Sequence, residues 1–186
     1  MRARGVPFIA LLLVVSSAHA GDTSLEHATT GLSFPQQIGE FVRDDSDPAG
    51  PYGTFGVAYR RRDVFEFLVT LHPIADPSKS DPAALLAAMG ALDRARGLET
   101  RGTESGWIDA ICDGRQARFA YATFEGPTGR EARFATNLRD HTLYIRTNRE
   151  RWPGDSAASV LEAILSGLRF PCSTSSPGPP SPETPE

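Results

Sequence analysis

The sequence predicts an α+β fold: an antiparallel sheet made of early strands plus a four-strand meander, with two helices packed on it. Three observations carry this. Apolar residues alternate with period two in 64–72 and again between 106 and 148. Turn signals at Asp113-Gly114, Gly126-Pro127-Thr128-Gly129 and Arg139-Asp140-His141 divide the second stretch into four strands joined by short connections. Two segments, one before and one after those strands, have helical rather than alternating spacing.

In chain order, residues 1–20 read as a cleaved secretory signal peptide. Arg2 and Arg4 form a positive start, an apolar run covers 6–15, and Ala18-His19-Ala20 is a small-residue cleavage site. A retained anchor helix is the rival reading. The run is too short for the roughly 20 apolar residues that cross a bilayer, and it contains Pro7. No cysteine follows Ala20 to take a lipid, and no later segment is apolar enough to span. The expected location is periplasmic or secreted. Residues 21–31 are polar and expected to be flexible, the folded domain is 32–172, and 173–186 is a Pro/Ser-rich tail expected to be disordered.

Within the domain, Phe34, Ile38 and Phe41 mark short opening strands, followed by a Pro- and Gly-rich loop over 44–53. Residues 54–60 and 64–72 form a strand pair, the second with Phe65, Phe67, Val69 and Leu71 on one face. A helix follows, capped by Ser80 or Asp81, with Pro82 at its first turn and Gly97 at its end. Its expected buried stripe is Leu85, Met89 and Leu92, with Leu86 beside them. The meander strands are 106–112, 115–125, 131–138 and 142–148. A last helix starts near Asp155, carries Val160, Leu161, Ile164, Leu165 and Leu168 on one side, and ends before Pro171. Trp152, before Pro153, is read as packing at that helix entry.

This order of elements over 32–170 resembles the sandwich of the extrinsic photosystem II subunit and of the Ran-binding import factor that shares its fold. The resemblance implies a fold; no motif carries it, so it transfers no activity and no site residue. The opening LSFPQQIGEFVR also resembles the start of small exported bacterial domains of unknown function.

Charge and cysteines narrow the functional classes. The formal net charge of −4 becomes −6 once Arg2 and Arg4 leave with the signal. That balance argues against nucleic acid, whose binding rests on clustered cations. Cys112 and Cys172 are an even pair in an exported chain and are expected to form a disulfide, with two free thiols as the alternative. The bond would close a loop of about sixty residues, worth about 4 kcal/mol. There is no C-x-x-C for redox work. Two scattered cysteines with His27, His72 and His141 make no metal-ligand cluster. No cofactor is expected.

Catalytic motifs are absent: there is no G-x-S-x-G, H-E-x-x-H, P-loop or dinucleotide fingerprint. The acidic run Asp44-Asp45-Ser46-Asp47 lacks the spacing of a calcium loop and reads as turn formers. Asp140 beside His141 offers an orienting carboxylate, though neighbours in a turn ordinarily point apart into water. The last three strands, paired as the turns suggest, put Phe119, Tyr121, Phe134, Thr136, Leu143 and Ile145 on a core face. The opposite face carries Arg118, Arg133, Tyr144 and Arg146 around Ala120, Ala122 and Ala135. Those four residues are the candidate site, a shallow basin for a small anionic ligand, since arginine forks suit carboxylate or phosphate. A plain solvated face, or a helix lying over the alanines, are the competing readings.

The function expected is a non-catalytic exported binding or accessory module. Alternatives are an envelope-complex subunit docked through its sheet edge or Pro-rich tail, and an enzyme using His141, Asp140 and nearby arginines. A pocket joining His141 to the arginine face would favour the enzyme. An exposed apolar patch near Trp107 or Trp152 would favour a protein partner.

Overall fold

The computed structural model describes residues 24–44, 47–61, 64–76, 80–97, 101–112, 114–126, 129–148, 156–168, 170 and 172–174. The predicted signal peptide, Trp152 and residues 175–186 of the predicted tail lie outside them.

The fold is α+β, as the patterning predicts. Within the segment expected to be flexible, β1 (Leu25–His27) pairs antiparallel with β2 (Leu32–Phe34) as a separate two-stranded sheet. The short strands β3 (Gln37–Ile38) and β4 (Phe41–Arg43) lead to β5 (Phe55–Arg61) and β6 (Val64–Pro73). The meander is β7 (Arg101–Cys112), β8 (Arg115–Gly126), β9 (Gly129–Leu138) and β10 (His141–Asn148), and β11 (Cys172–Thr174) follows near the end. Among the described residues these nine make one antiparallel sheet in the order β11-β7-β8-β9-β10-β6-β5-β4-β3. The early strands therefore continue the meander beyond β10. Ser173 and Thr174, read from sequence as the start of the tail, belong to β11.

β7 begins at Arg101, five residues earlier than the alternation suggests. Its first half, Arg-Gly-Thr-Glu-Ser, is exposed throughout, so neither face is apolar and no period-two signal marks it. The β7–β8 turn is tight, with Gly114 at φ +72°, a conformation that costs glycine little.

Helix α1 (Pro82–Ala95) starts at Asp81, whose carboxylate accepts from the Ala83 amide at 2.9 Å. It stops where Gly97 turns left-handed at φ +74°. Its buried face is Leu86, Gly90 and Asp93, at i, i+4 and i+7. The expected Leu85–Met89–Leu92 stripe is rotated away from this face: Leu85 and Met89 pack only at the margin, and Leu92 is exposed. The cause is tertiary. Gly90 faces the Phe124 ring, which a β-carbon there would meet at 3.5 Å, an ordinary contact, and Asp93 is drawn inward by a buried arginine.

Helix α2 (Ala157–Gly167) is capped by Ser156, which accepts from the Ser159 amide at 3.1 Å. It buries Val160, Leu161, Ile164 and Leu165 in the main core, each worth about 1.5–3 kcal/mol relative to exposure. That core also holds Phe34, Phe67, Val69, Leu71, Phe119, Phe134, Leu143 and Ile145. Both ends of the sheet reach α2: β11 packs on it, and Ile38 in β3 lies against Gly167. The sheet thus curls around α2, while α1 lies on its other face.

Candidate functional site, a groove between helix α1 and strand β7

The strand register decides what α1 sits on. Ala120 faces Ala135, and Ala135 faces Tyr144, so two methyl groups and a phenol ring lie side by side across β8, β9 and β10. Leu86 of α1 seats on this platform. One pair along, Ala122, Arg133 and Arg146 line up in the same way. Arg133 is fully buried there and ion-pairs with Asp93 of α1 and, at 3.0 Å, with Glu131. Glu131 also takes both forks of Arg146, at 2.6 and 3.1 Å. The Arg133 guanidinium lies 4.3 Å from the centre of the Phe124 ring. That ring face takes the place of acceptors for Nε and Nη1, which have no hydrogen-bond partner among the described residues.

The open basic basin expected on this face is therefore covered by a helix, one of the readings left open by the sequence. Arg133, Tyr144 and Arg146 do come together, beneath and beside α1, and the carboxylates of Asp93 and Glu131 already neutralise their charge. Burial pushes the Tyr144 phenol up to about 12, with Arg133 and Arg146 opposing it. Arg118 is apart from them. It is exposed, 3.4 Å from Asp109, with its guanidinium 5.0 Å from the centre of the Trp107 ring.

α1 is fastened at both ends. At its entrance the Ser80 hydroxyl donates to Asn137 at 3.0 Å, and the Asn137 amide donates back to the Ser80 carbonyl at 3.2 Å. Towards its other end the fastening is Asp93 on Arg133. Held in this way it packs mainly on β8 and β9. A groove of about 670 Å³ is left between the helix flank and the β7–β8 ribbon. Ala83, Ala87 and Gly90 keep the helix wall low, and Trp107 and Phe124 supply apolar surface on the sheet side. Trp107 is 44% exposed. Gly106 is required beside it: a β-carbon there would stand 2.9 Å from the Tyr121 ring, whose hydroxyl donates to Glu104 at 2.7 Å. Beyond the β-bulge at Thr103 the depression continues toward Glu125 and Arg130.

The outer side of β7 completes the picture. β11 pairs only with Ala110–Cys112, in the register Cys172 opposite Cys112 and Thr174 opposite Ala110. From Arg101 to Ile108, β7 has a strand partner on the β8 side alone, among the described residues. The groove was poorly legible in the sequence. Its signals are a run of small residues on one flank of α1, two glycines in β7 and one tryptophan, and none of these is specific.

The histidines lie elsewhere. His141 is not a solvated turn residue: it begins β10, is 8% exposed, and its Nδ1 is 2.8 Å from Asp140. Its ring meets the His27 ring edge-on at 4.9 Å, and His27 in turn packs on Phe55 at 4.8 Å. His27 Nδ1 is 2.9 Å from the Thr30 hydroxyl. Strand alternation puts His141 with Leu143 and Ile145 on the α2 side of the sheet, opposite the arginine face. Neither histidine lines the groove beside β7. Burial lowers His27, the neighbouring His141 lowers it further, and Asp140 works against both. Asp140 itself is lowered, first by its hydrogen bond with His141. Among the described residues no three His, Cys, Asp or Glu side chains gather as metal ligands. No helix among them is long and apolar enough to cross a membrane.

No protein-family model matches this chain. No curated protein is significantly similar to it. Among solved structures it resembles, weakly and at the level of fold, the solution structure of cyanobacterial PsbP (CyanoP) from Synechocystis sp. PCC 6803, with a TM-score of 0.49 and 16% identity. The match covers 82% of this chain and 91% of that one.

Proposed function

We propose that this protein is an exported, non-catalytic binding module that receives an extended segment of a partner protein along the outer edge of β7, with side chains entering the groove under α1. The observation that carries the reading is Trp107: a large aromatic left 44% exposed at the junction of a groove and a strand edge that has no outer partner among the described residues. An exposed edge offers a row of backbone donors and acceptors to a further strand, and pockets beside it select side chains. Tryptophan is the residue type most often found at the energetic centre of such contacts.

Arg118, stacked on Trp107, gives this surface a cation, so a segment carrying a carboxylate fits it best. Arg133, Tyr144 and Arg146 act one step removed: they hold α1 in place and thereby set the width of the groove. Export rests on the charged, apolar and small-residue order of 1–20. A disulfide between Cys112 and Cys172 belongs to the same reading. The two residues are registered opposite each other across β7 and β11. Directly opposed residues in an antiparallel pair lie about 4.5–5.5 Å apart at Cα, inside the range a disulfide spans.

The test is an NMR titration of the isotope-labelled protein with a panel of extended synthetic peptides, acidic, neutral and basic. Binding should shift the Trp107 indole and the amides of Arg101 to Ile108, favour the acidic peptides, and vanish in Trp107→Ala with its fold intact. Peptides that bind only at other surfaces, or equally well to the variant, would remove the proposal.

A further inference from the structure

We propose that the groove between α1 and β7 binds a small amphipathic carboxylate, its apolar body lying along the α1 wall between Trp107 and Phe124 and its carboxylate on Arg94. This goes beyond the docking of a partner segment on the outer edge of β7, because the occupant is a free small molecule seated inside the groove.

Strand alternation sorts the lining into two sides. Ala120, Ala122 and Phe124 of β8 point toward α1, and Tyr121 and Thr123 between them point toward the α2 side. Trp107 stands opposite Ala120 and so shares its face. On the helix side the wall is Leu86, Ala87 and Gly90. The α1 side of the groove is therefore mainly apolar.

Charge is spread unevenly over the lining. Arg94 and Glu104 are its two charged residues. The Glu104 carboxylate accepts from the Tyr121 hydroxyl at 2.7 Å, and Tyr121 packs on the core of the α2 side. Glu104 is thereby drawn away from the helix. Glu125, where the depression continues, alternates with Phe124 onto that same side and lies 3.4 Å from Arg130. The Arg94 guanidinium has neither a hydrogen bond nor an ion pair among the described residues. It converges with Phe124 on one spot of the helix wall: a β-carbon at Gly90 would stand 3.7 Å from Arg94 Nη1 and 3.5 Å from the Phe124 ring.

An apolar trough with one uncommitted cation at its end matches a ligand with an apolar body and one carboxylate, since a guanidinium forks onto a carboxylate. Size agrees. The groove's 670 Å³ falls within the roughly 300–1,000 Å³ of small-ligand sites. Trp107 lies level with Ala120, four residues along β8 from Phe124, which is about 13 Å of strand. A chain of medium length spans that distance.

The experiment is an NMR titration of the signal-cleaved protein with octanoate, 1-octanol and acetate. Octanoate should bind at one site about tenfold or more tighter than acetate, which lacks the body, and than octanol, which lacks the charge. It should move the Trp107 indole and Leu86 methyl signals; shifts confined to other surfaces would overturn the proposal. Arg94→Gln should weaken octanoate about tenfold and leave octanol unchanged. Ala87→Leu, at an exposed position on the helix wall, narrows the groove and should weaken both. Octanoate that binds no tighter than octanol, or equally well to both variants, overturns the proposal. Octanoate binding without binding of any extended peptide supports this site and removes the docking edge. Peptide binding without octanoate binding overturns this site and leaves the docking edge standing.

Discussion

Arg133 of β9 and Asp93 of α1 form an ion pair closed off from solvent, with the arginine side chain fully buried and the aspartate nearly so. The pair sets where α1 lies on the sheet, and so how wide the groove beside β7 becomes. Asp93→Ala leaves Arg133 with Glu131 alone and should cost about 3–5 kcal/mol, because an undercompensated charge stays buried. The double variant Asp93→Leu, Arg133→Met replaces charge by volume and should recover most of that loss. Urea denaturation of the single and double variants checks both statements; a double variant as unstable as Asp93→Ala would place the cost in packing rather than charge.

The N-terminal hairpin should loosen in acid. Burial lowers both His27 and His72 below 6.5, so between their folded values and 6.5 the unfolded chain binds more protons than the folded one. Stability therefore rises with pH through that window and is lost as pH falls through it. The charged groups acting on His27 are His141 and Asp140, and Arg139 donates to the nearby Thr29 carbonyl at 2.7 Å. Melting temperatures between pH 7.5 and 5 should fall, and the slope should flatten in a His27→Gln, His72→Gln variant.

Reduction should expose the proposed staple. The intact mass under non-reducing conditions is expected to be two hydrogens below that of the reduced protein. Cys112→Ser with Cys172→Ser should lower stability by about 4 kcal/mol, the loop-closure entropy of about sixty residues. A variant as stable as the parent, with no mass difference, would mean that the register of β11 on β7 is held by the ladder alone.

Gly167 tests the curl of the sheet. A β-carbon there would stand 2.4 Å from the Ile38 Cγ2 atom, so alanine at the end of α2 pushes directly on β3. Gly167→Ala should destabilise by about 1–3 kcal/mol, as overpacking does. Ile38→Val in the same chain should return part of the loss. If alanine were neutral, the contact between the far end of the sheet and α2 would be weaker than the geometry implies.

The fold class, the four-strand meander, both helices and the two faces of β8, β9 and β10 are legible in residue spacing. Alternation and capping are local consequences of backbone geometry, so Asp81, Gly97 and Gly114 announce their positions without reference to the rest of the chain. What lay beyond the sequence was the partner of each face. Arg133 and Arg146 read as surface cations because nothing near them in sequence shows that Asp93 will descend onto Arg133 from a helix forty residues earlier. The α1 stripe was misplaced for the same reason: Leu85 and Leu92 are more apolar than Gly90 and Asp93, yet the pairing of Asp93 with Arg133 outweighed hydrophobicity. His141 looked like a turn residue until β1 and β2 brought His27 across to it. Local periodicity, set by bonded geometry, was the sequence's to determine. Which surface covers which, and which edge stays open, depends on the summed free energy of contacts between distant segments, and only the tertiary structure decided it.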